Sequence, residues 1–386
     1  MNRAAAISSN AAGMLTIDLE ALAGNWRELA RRAAPGSCGA VIKADAYGVG
    51  IEAAAPALHA AGCRVFFVAH ASEGARARAV LPPSVRIYVL DGLEAEADPA
   101  ADYAAHNLAP AIGSSEELAR WAAFTAGRRP PPWALHLDTG MNRLGFASLS
   151  ELRAALDRCG AVGADLLMSH FVASEEPENP LNVEQIARFD AARAALPQLP
   201  ASLANSSGMF LPQAPMYDLS RPGYALYGGN PTPGAPNPMR PVVTLEVAIQ
   251  QTRWIEPGET CGYNQQWTAR RRTRLATLLA GYADGLPRGA GAIDGRAGAE
   301  VAIAGRRCKL VGRMSMDLCI ADVTDLPEAA ARPGVRAQFF GPDVALDDFA
   351  ARSGTIGYHV LTSLGARYFR RIVGDGIPLP VLTGRG

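Results

Sequence analysis

Residues 37–50 read SCGAVIKADAYGVG, an apolar run at Cys38–Ile42 that stops on a lysine and passes into a loop punctuated by two glycines. So short a run suits a buried strand better than a helix, and it opens one strand–loop–helix unit of an α/β protein. The pattern recurs. Further apolar runs lie at Val65–Ala69, Arg86–Leu90, Leu108–Ile112, Trp133–Leu137, Asp165–Ser169, Ser202–Ala204 and near Tyr224–Tyr227, with helical patterns between them. Eight cycles in about 190 residues argue for a closed (β/α)8 barrel of the TIM type over an open doubly wound sheet.

Two helix starts are explicit. Ser114 to Glu117 forms a capping box ahead of Leu118, Trp121, Ala122 and Thr125, and Ser148 to Glu151 repeats it ahead of Leu152, Ala155, Leu156 and Cys159. Each predicts a helix that lays one apolar stripe on a sheet. Asn230 to Pro241, NPTPGAPNPMRP, holds five prolines and propagates neither regular structure, so the domain boundary is placed there: a barrel over 1–240 and a second domain over 241–386. Beyond it Val243, Leu245, Val247 and Ile249 alternate with other residues, and strand-like runs recur at Leu275–Ala280, Val301–Ile303 and Leu318–Val323. The second domain is expected to be mainly β, interrupted by helical patterns at Ala345–Arg352 and His359–Arg367.

Composition narrows the function classes. The 386 residues carry 37 Lys plus Arg against 37 Asp plus Glu, which gives no general field for nucleic acid or an anionic membrane surface. Hydrophobic residues at 49% and charged residues at 19% mark a globular chain. Met1 to Leu15 lacks the apolar core of a signal peptide and no run is long enough to span a bilayer, so a cytoplasmic protein is expected. Six scattered cysteines with no Cys-x-x-Cys pair suit reduced thiols, and the histidines show no metal-ligand spacing, so no metal is expected. Only two of the basic residues are lysines, Lys43 and Lys309. A chain that uses arginine almost everywhere for charge keeps lysine where amine chemistry is wanted, because guanidinium does not deprotonate to a nucleophile. Lys309, in RRCKLVG, reads as part of an exposed basic face.

In a (β/α)8 barrel the chemistry lies where strands end. Lys43 and Tyr47 follow the first strand, Asp138 and Arg143 the fifth in LDTGMNRLG, His170 the sixth in MSHF, and Asn205, Ser206 and Ser207 the seventh. Arg221, Gly223 and Tyr224 lie around the eighth in RPGYALYG. An amine, two arginines, and a hydroxyl beside glycine-flanked backbone where a phosphate would sit suggest a phosphorylated aldehyde held as a Schiff base, with pyridoxal 5'-phosphate the obvious candidate.

The segments AVIKADAYGVG, LDTGMNRLG, SHF, ANSSG, RPGYALYG, LAGYADG, VGRMSMD and the Tyr358 region, in that order, resemble alanine racemase, the fold-type III pyridoxal-phosphate family with an N-terminal barrel and a C-terminal β domain. The resemblance spans nearly the whole chain. It implies that Lys43 is the Schiff-base lysine and that Tyr282, in GYADG, is the opposing base, contributed by the partner subunit of a homodimer with shared sites. It further implies that Tyr47, Ser206, Gly223, Tyr224 and Tyr358 hold the phosphate, and that Arg143 contacts the phenolic oxygen and the substrate carboxylate. Met316 of the partner would bind substrate, and His170 with Arg221 would tune Tyr282. Arg221 in place of an acid leaves the pyridine nitrogen unprotonated, which favours return of the proton at Cα and so a racemase. The implied substrate is alanine and the implied role the supply of D-alanine as a peptidoglycan precursor.

One position departs from the family. Two residues before Asp138 many alanine racemases carry a lysine modified to a carbamate that orients the neighbouring arginine, and here the residue is His136. Arg143 is therefore expected to be oriented by a bound anion or by Asp138, and His136 reads either as a satisfied core histidine or as part of the site. Alternatives to an alanine-specific racemase are a racemase of broader range and a fold-type III decarboxylase, the latter disfavoured by Arg221. A nicotinamide dehydrogenase has only Gly48–Ala53 as a G-x-G-x-x-A match, with no acid after the second strand. There is no P-loop and no G-x-S-x-G elbow.

Overall fold

A computed structural model describes residues 12–94, 99–127, 131–160 and 163–374. The chain divides into two compact units: one runs from Leu22 to Arg240, and the other joins the segment ending at Ala21 to Pro241 and beyond.

The first unit is built on short parallel strands. Ala40–Val41, Val65–Val68, Arg86–Val89, Ala109–Ile112, Trp133–His136, Ala164–Met168 and Ala201–Ser202 form a seven-stranded parallel sheet in chain order. Leu219–Ser220 closes the ring. It pairs in parallel with Ser37–Cys38, while Asp218 N donates to Ala201 O at 3.1 Å and Arg221 N to Ala204 O at 2.9 Å. The eighth strand is therefore not at Tyr224–Tyr227, which is a buried 3-10 turn. Two residues suffice as a strand here because the pairing continues outside them, with Gly39 N on Ser220 O at 2.9 Å and Val41 N on Pro222 O at 2.9 Å.

Helices follow the strands, and their starts are capped as their sequences predict. Ser114 Oγ accepts Glu117 N at 3.1 Å, and Ser148 Oγ accepts Glu151 N at 3.1 Å. The glutamates reach one residue further back than in the usual box, Glu117 to Gly113 N and Glu151 to Ala147 N. Leu118, Trp121, Leu152 and Ala155 are buried on the sheet side.

The second unit is mainly β. Thr273–Leu278, Cys319–Asp322, Arg306–Val311, Glu300–Ile303, Arg336–Phe340 and Val243–Ile255 pair in that order, and the last pairs back to the first, so six strands close on themselves. Val243–Ile255 manages this by changing partner along its length, with a register break between Ile249 and Gln251. Gly13–Asp18 adds to its free side antiparallel and Phe369–Val373 adds beyond that in parallel. The reading that put residues 1–240 in the barrel is corrected here: the described strand at 13–18 belongs to the β unit. Its alternating burial pattern pairs with Val243–Val247, and apolar Leu15 and Ile17 are wholly buried there. Two short helices, Leu346–Arg352 and Gly357–Thr362, follow, the second ending earlier than its sequence pattern suggests.

Candidate active site

Lys43 follows strand Ala40–Val41 and starts a tight turn, Lys43–Tyr47, whose Ala44, Asp45, Ala46 and Tyr47 all have φ between 52° and 54°. Left-handed backbone costs an L-residue about 1–2 kcal/mol, so four in a row need outside support. The support is polar. Asp45 N donates to Glu73 Oε1 at 3.3 Å, Asp45 Oδ1 accepts Ile51 N at 3.2 Å, and Arg76 Nη2 pairs with Asp45 at 2.5 Å and with Glu52 at 2.7 Å. This turn sets Lys43 and Tyr47 side by side at the strand end. Burial and the nearby Arg143 lower the pKa of Lys43, while Asp91 and Glu73 oppose that shift.

Tyr47 is buried, its ring stacked 4.6 Å from that of Tyr227, whose hydroxyl donates to Val41 O. Burial raises the Tyr47 phenol well above its usual range. Gly223 lies against it: a Cβ there would stand 2.4 Å from Tyr47 Oη. Ser206 Oγ accepts both Gly223 N, at 3.0 Å, and Ala225 N, at 3.2 Å. Tyr224 is buried beside them, and the side chain that Gly223 lacks leaves the place taken by the Tyr47 hydroxyl, so one hydroxyl, one phenol and two backbone N–H groups cluster here.

Arg221 is buried and bonded to Ser202 Oγ, Ser169 O and, at 3.5 Å, Leu203 O. Burial lowers its pKa to about 10, which still leaves it charged at neutral pH. His170 is pushed down to about 3 by burial, then by Arg221, Lys43, Arg143 and His136, so it is a neutral imidazole among cations. His136 falls to about 4, chiefly by burial and then by Arg221.

His136, Asp138, Met141, Arg143, Leu144, Ser169 and His170 line a small cavity. The buried Nδ1 of His136 has no hydrogen-bond partner, so this is not a satisfied core histidine. Asp138 does not orient Arg143 either. Its Oδ1 accepts Gly140 N at 2.7 Å and Met141 N at 2.8 Å, shaping the loop, and no ion pair to Arg143 exists among the described residues.

Tyr282, Met316 and Tyr358 lie in the β unit. Tyr282 begins a 3-10 turn held by Tyr282 N on Ser315 O at 3.1 Å and Ala283 N on Met316 O at 2.9 Å, so the GYADG and RMSMD segments form one ledge. Both side chains point outward, Tyr282 40% and Met316 53% exposed. Tyr358 is half-buried on helix Gly357–Thr362.

Residues 17–231 match the family model "Alanine racemase, N-terminal domain" and residues 242–372 match "Alanine racemase, C-terminal domain". An alanine racemase of Methylobacterium sp. (strain 4-46) is 54% identical over 364 residues, 93% of this chain and 97% of that protein. Among solved structures, that of alanine racemase from Bartonella henselae with covalently bound pyridoxal phosphate is 36% identical with a TM-score of 0.86, over 94% of this chain and 100% of that one. The biosynthetic alanine racemase of Pseudomonas aeruginosa is also 36% identical, at a TM-score of 0.84, over 94% and 99%. The chain belongs to the alanine racemase family.

As a member of that family the chain is an isomerase, and its barrel unit brings Lys43, Tyr47, Arg143, His170, Ser206, Arg221, Gly223 and Tyr224 to the strand ends. Sequence reading missed the residues behind them. Arg76, Glu73 and Asp45 brace the lysine turn, and Thr139, Ser169 and Gln185 form a buried polar chain behind Arg143 and His170. For Gln185 a signal existed: it shares the buried stripe of helix Leu181–Ala195 with Asn182, Phe189 and Ala192, so two amides interrupt an otherwise apolar face.

Proposed function

We propose that the protein interconverts L- and D-alanine with pyridoxal 5'-phosphate, using Lys43 on one face of the substrate Cα and Tyr282 of the partner subunit on the other. The observation that carries this reading is Lys43 itself: one of two lysines in the chain, its pKa lowered by burial and by Arg143, standing in a strained turn beside Tyr47. The residues present fit the cofactor. Tyr47, Ser206, Gly223 and Tyr224 would offer phenol, hydroxyl and backbone groups to a phosphate, and the family resemblance assigns Tyr358 to the same role. When bound, the cofactor withdraws electrons from the substrate Cα and so makes its proton removable.

Every further step belongs to the protein. The amine of Lys43, closer to neutrality than a free lysine, takes or returns a proton at Cα on one face. The phenolic oxygen of Tyr282 does the same on the other, so loss and return on opposite sides invert the centre. Arg221, charged and always a donor, would hold a pyridine nitrogen unprotonated, which would favour reprotonation at Cα over transfer of the amino group. That choice also disfavours a decarboxylase, while a broader substrate range is the alternative that His136 leaves open. Arg143 receives the substrate carboxylate, and Met316 of the partner closes on the substrate. The homodimer is cytoplasmic and supplies D-alanine for peptidoglycan.

Mixing two variants tests the shared site. Lys43→Ala and Tyr282→Phe should each be nearly inactive, yet a mixed dimer contains one site with both defects and one intact. Allowing equal amounts of the two to exchange subunits should restore about one quarter of the sites. If subunits exchange and no activity returns, both bases lie in one subunit and the shared-site reading is wrong.

A further inference from the structure

Arg143, the proposed partner of the substrate carboxylate, is exposed, and its guanidinium makes no hydrogen bond or ion pair among the described residues. Its place therefore depends on its loop. That loop passes through Gly140 at φ 149°, Asn142 at φ 56° and Gly145 at φ 108°, a backbone path that needs holding from outside.

The hold comes from helix Leu181–Ala195. Gln185 is wholly buried, and its Oε1 accepts Val172 N at 2.8 Å, which fixes the orientation of the amide because a backbone N–H can only donate. Its Nε2 then donates to Thr139 Oγ1 at 2.9 Å and to His170 O at 2.9 Å. Three residues along the helix, Arg188 donates to Thr139 O at 2.8 Å, so one helix face grips Thr139 by side chain and by backbone. Thr139 Oγ1 meets Ser169 Oγ at 2.7 Å, and Ser169 O accepts from Arg221.

We propose that Gln185 is a positioning residue for the reaction: its amide locks the Arg143 loop to the strand end that carries His170, and so holds Arg143 ready for a carboxylate. A helix that had only to pack would carry apolar residues along this stripe, as it does at Phe189 and Ala192; instead it carries two amides, Asn182 on the Ala173 and Glu176 carbonyls and Gln185 on the Arg143 loop. Burying an amide is unfavourable unless its bonds are met, and a network that meets them selects one arrangement of the loops it joins. The inference rests on the reading of Arg143 as the carboxylate's partner.

The test uses holoenzyme and two readouts: KM against kcat for alanine, and the Kd of propionate, a carboxylate without an amine, by calorimetry. Thr139→Val deletes the hydroxyl at nearly constant volume and leaves the carbonyl for Arg188. It should raise KM and the propionate Kd about tenfold, the worth of one hydrogen bond, with kcat little changed, and Thr139→Ser should restore both. Gln185→Glu keeps the acceptor for Val172 N but sets a carboxylate against His170 O, and it should move the same quantities further. Should Gln185→Glu fail to fold, the threonine pair decides. Arg143→Gln separates the two ideas. If it leaves propionate binding unchanged, the reading of Arg143 falls and the proposal with it. If it weakens propionate while Thr139→Val lowers only thermal stability, the network is merely structural and the proposal is overturned.

Discussion

Lys43 stands half-buried in a turn tied down by Asp45, Glu73 and Arg76, and its pKa is already lowered by burial and by Arg143. Tyr282 sits on an exposed ledge, 40% accessible, fixed through its backbone and with no hydrogen bond to its phenolic oxygen among the described residues. One proposed base is readied inside its own folding unit, while the other proposed base is presented outward by a β unit that holds its main chain. The contrast fits the proposed shared site, and it gives each side its own way to fail.

The largest effect is expected on the prepared side. Lys43→Arg keeps a cation but removes a group that can lose a proton, so racemisation should fall more than about a thousandfold. Borohydride reduction of the cofactor-loaded parent should label Lys43 and leave Lys309 clean, and the variant should take no label at all. A variant that stays active would take the amine out of the chemistry. Next comes the presented side. Tyr282→Phe should lower racemisation about a hundredfold or more, yet exchange of the Cα proton with deuterated water should survive for one enantiomer and vanish for the other. Loss of exchange for both would place Tyr282 upstream of proton transfer rather than on one face of it.

A smaller effect isolates the proposed phosphate cradle. Gly223 has φ −125°, outside the left-handed region, and a Cβ there meets Tyr47 Oη at 2.4 Å, its ring carbon at 3.0 Å and Val41 Cβ at 3.4 Å. Tyr47 is stacked on Tyr227 and yields only by leaving that contact. Overpacking of this kind costs about 1–3 kcal/mol, so Gly223→Ala should weaken cofactor binding by roughly 5- to 140-fold, read by equilibrium dialysis. Unchanged affinity would mean the phosphate does not use this corner.

The barrel could be read from sequence because its strands announce themselves as apolar runs that end in polar groups, and seven of the eight runs fall on or within a residue or two of parallel strands. The eighth could not. Leu219–Ser220 is two residues long, too short for any period, and the more conspicuous Tyr224–Tyr227 run is apolar because it packs under the cradle as a 3-10 turn. Strand Gly13–Asp18 was hidden differently: its alternation is visible, but its partner lies some 230 residues away, and no local pattern names a partner at that distance. The strand-end groups proposed for the site could be picked out by type and place, Lys43 above all. Their supports could not, since Gln185, Thr139 and Arg76 act through three-dimensional neighbours on other elements.

The smallest effect tests what the barrel side gives up for its crowd of cations. Folded His170 and His136 stay neutral down to about 3 and about 4, first because burial penalises the charged ring and then because Arg221 repels it. Unfolded, both take a proton near pH 6.5. Below that pH the unfolded chain binds more protons than the folded one, so stability is complete above about 6.5 and drains away as pH falls towards 4. At pH 5 each ring can contribute a loss of up to about 2 kcal/mol. The urea midpoint should therefore drop between pH 7 and pH 5, and drop less in His136→Asn, which has no ring to protonate. An equal drop would show that His136 gains its proton as easily folded as unfolded. The cavity it lines would then be open to water, and its unpartnered Nδ1 would be solvated rather than aimed at an anion beside Arg143.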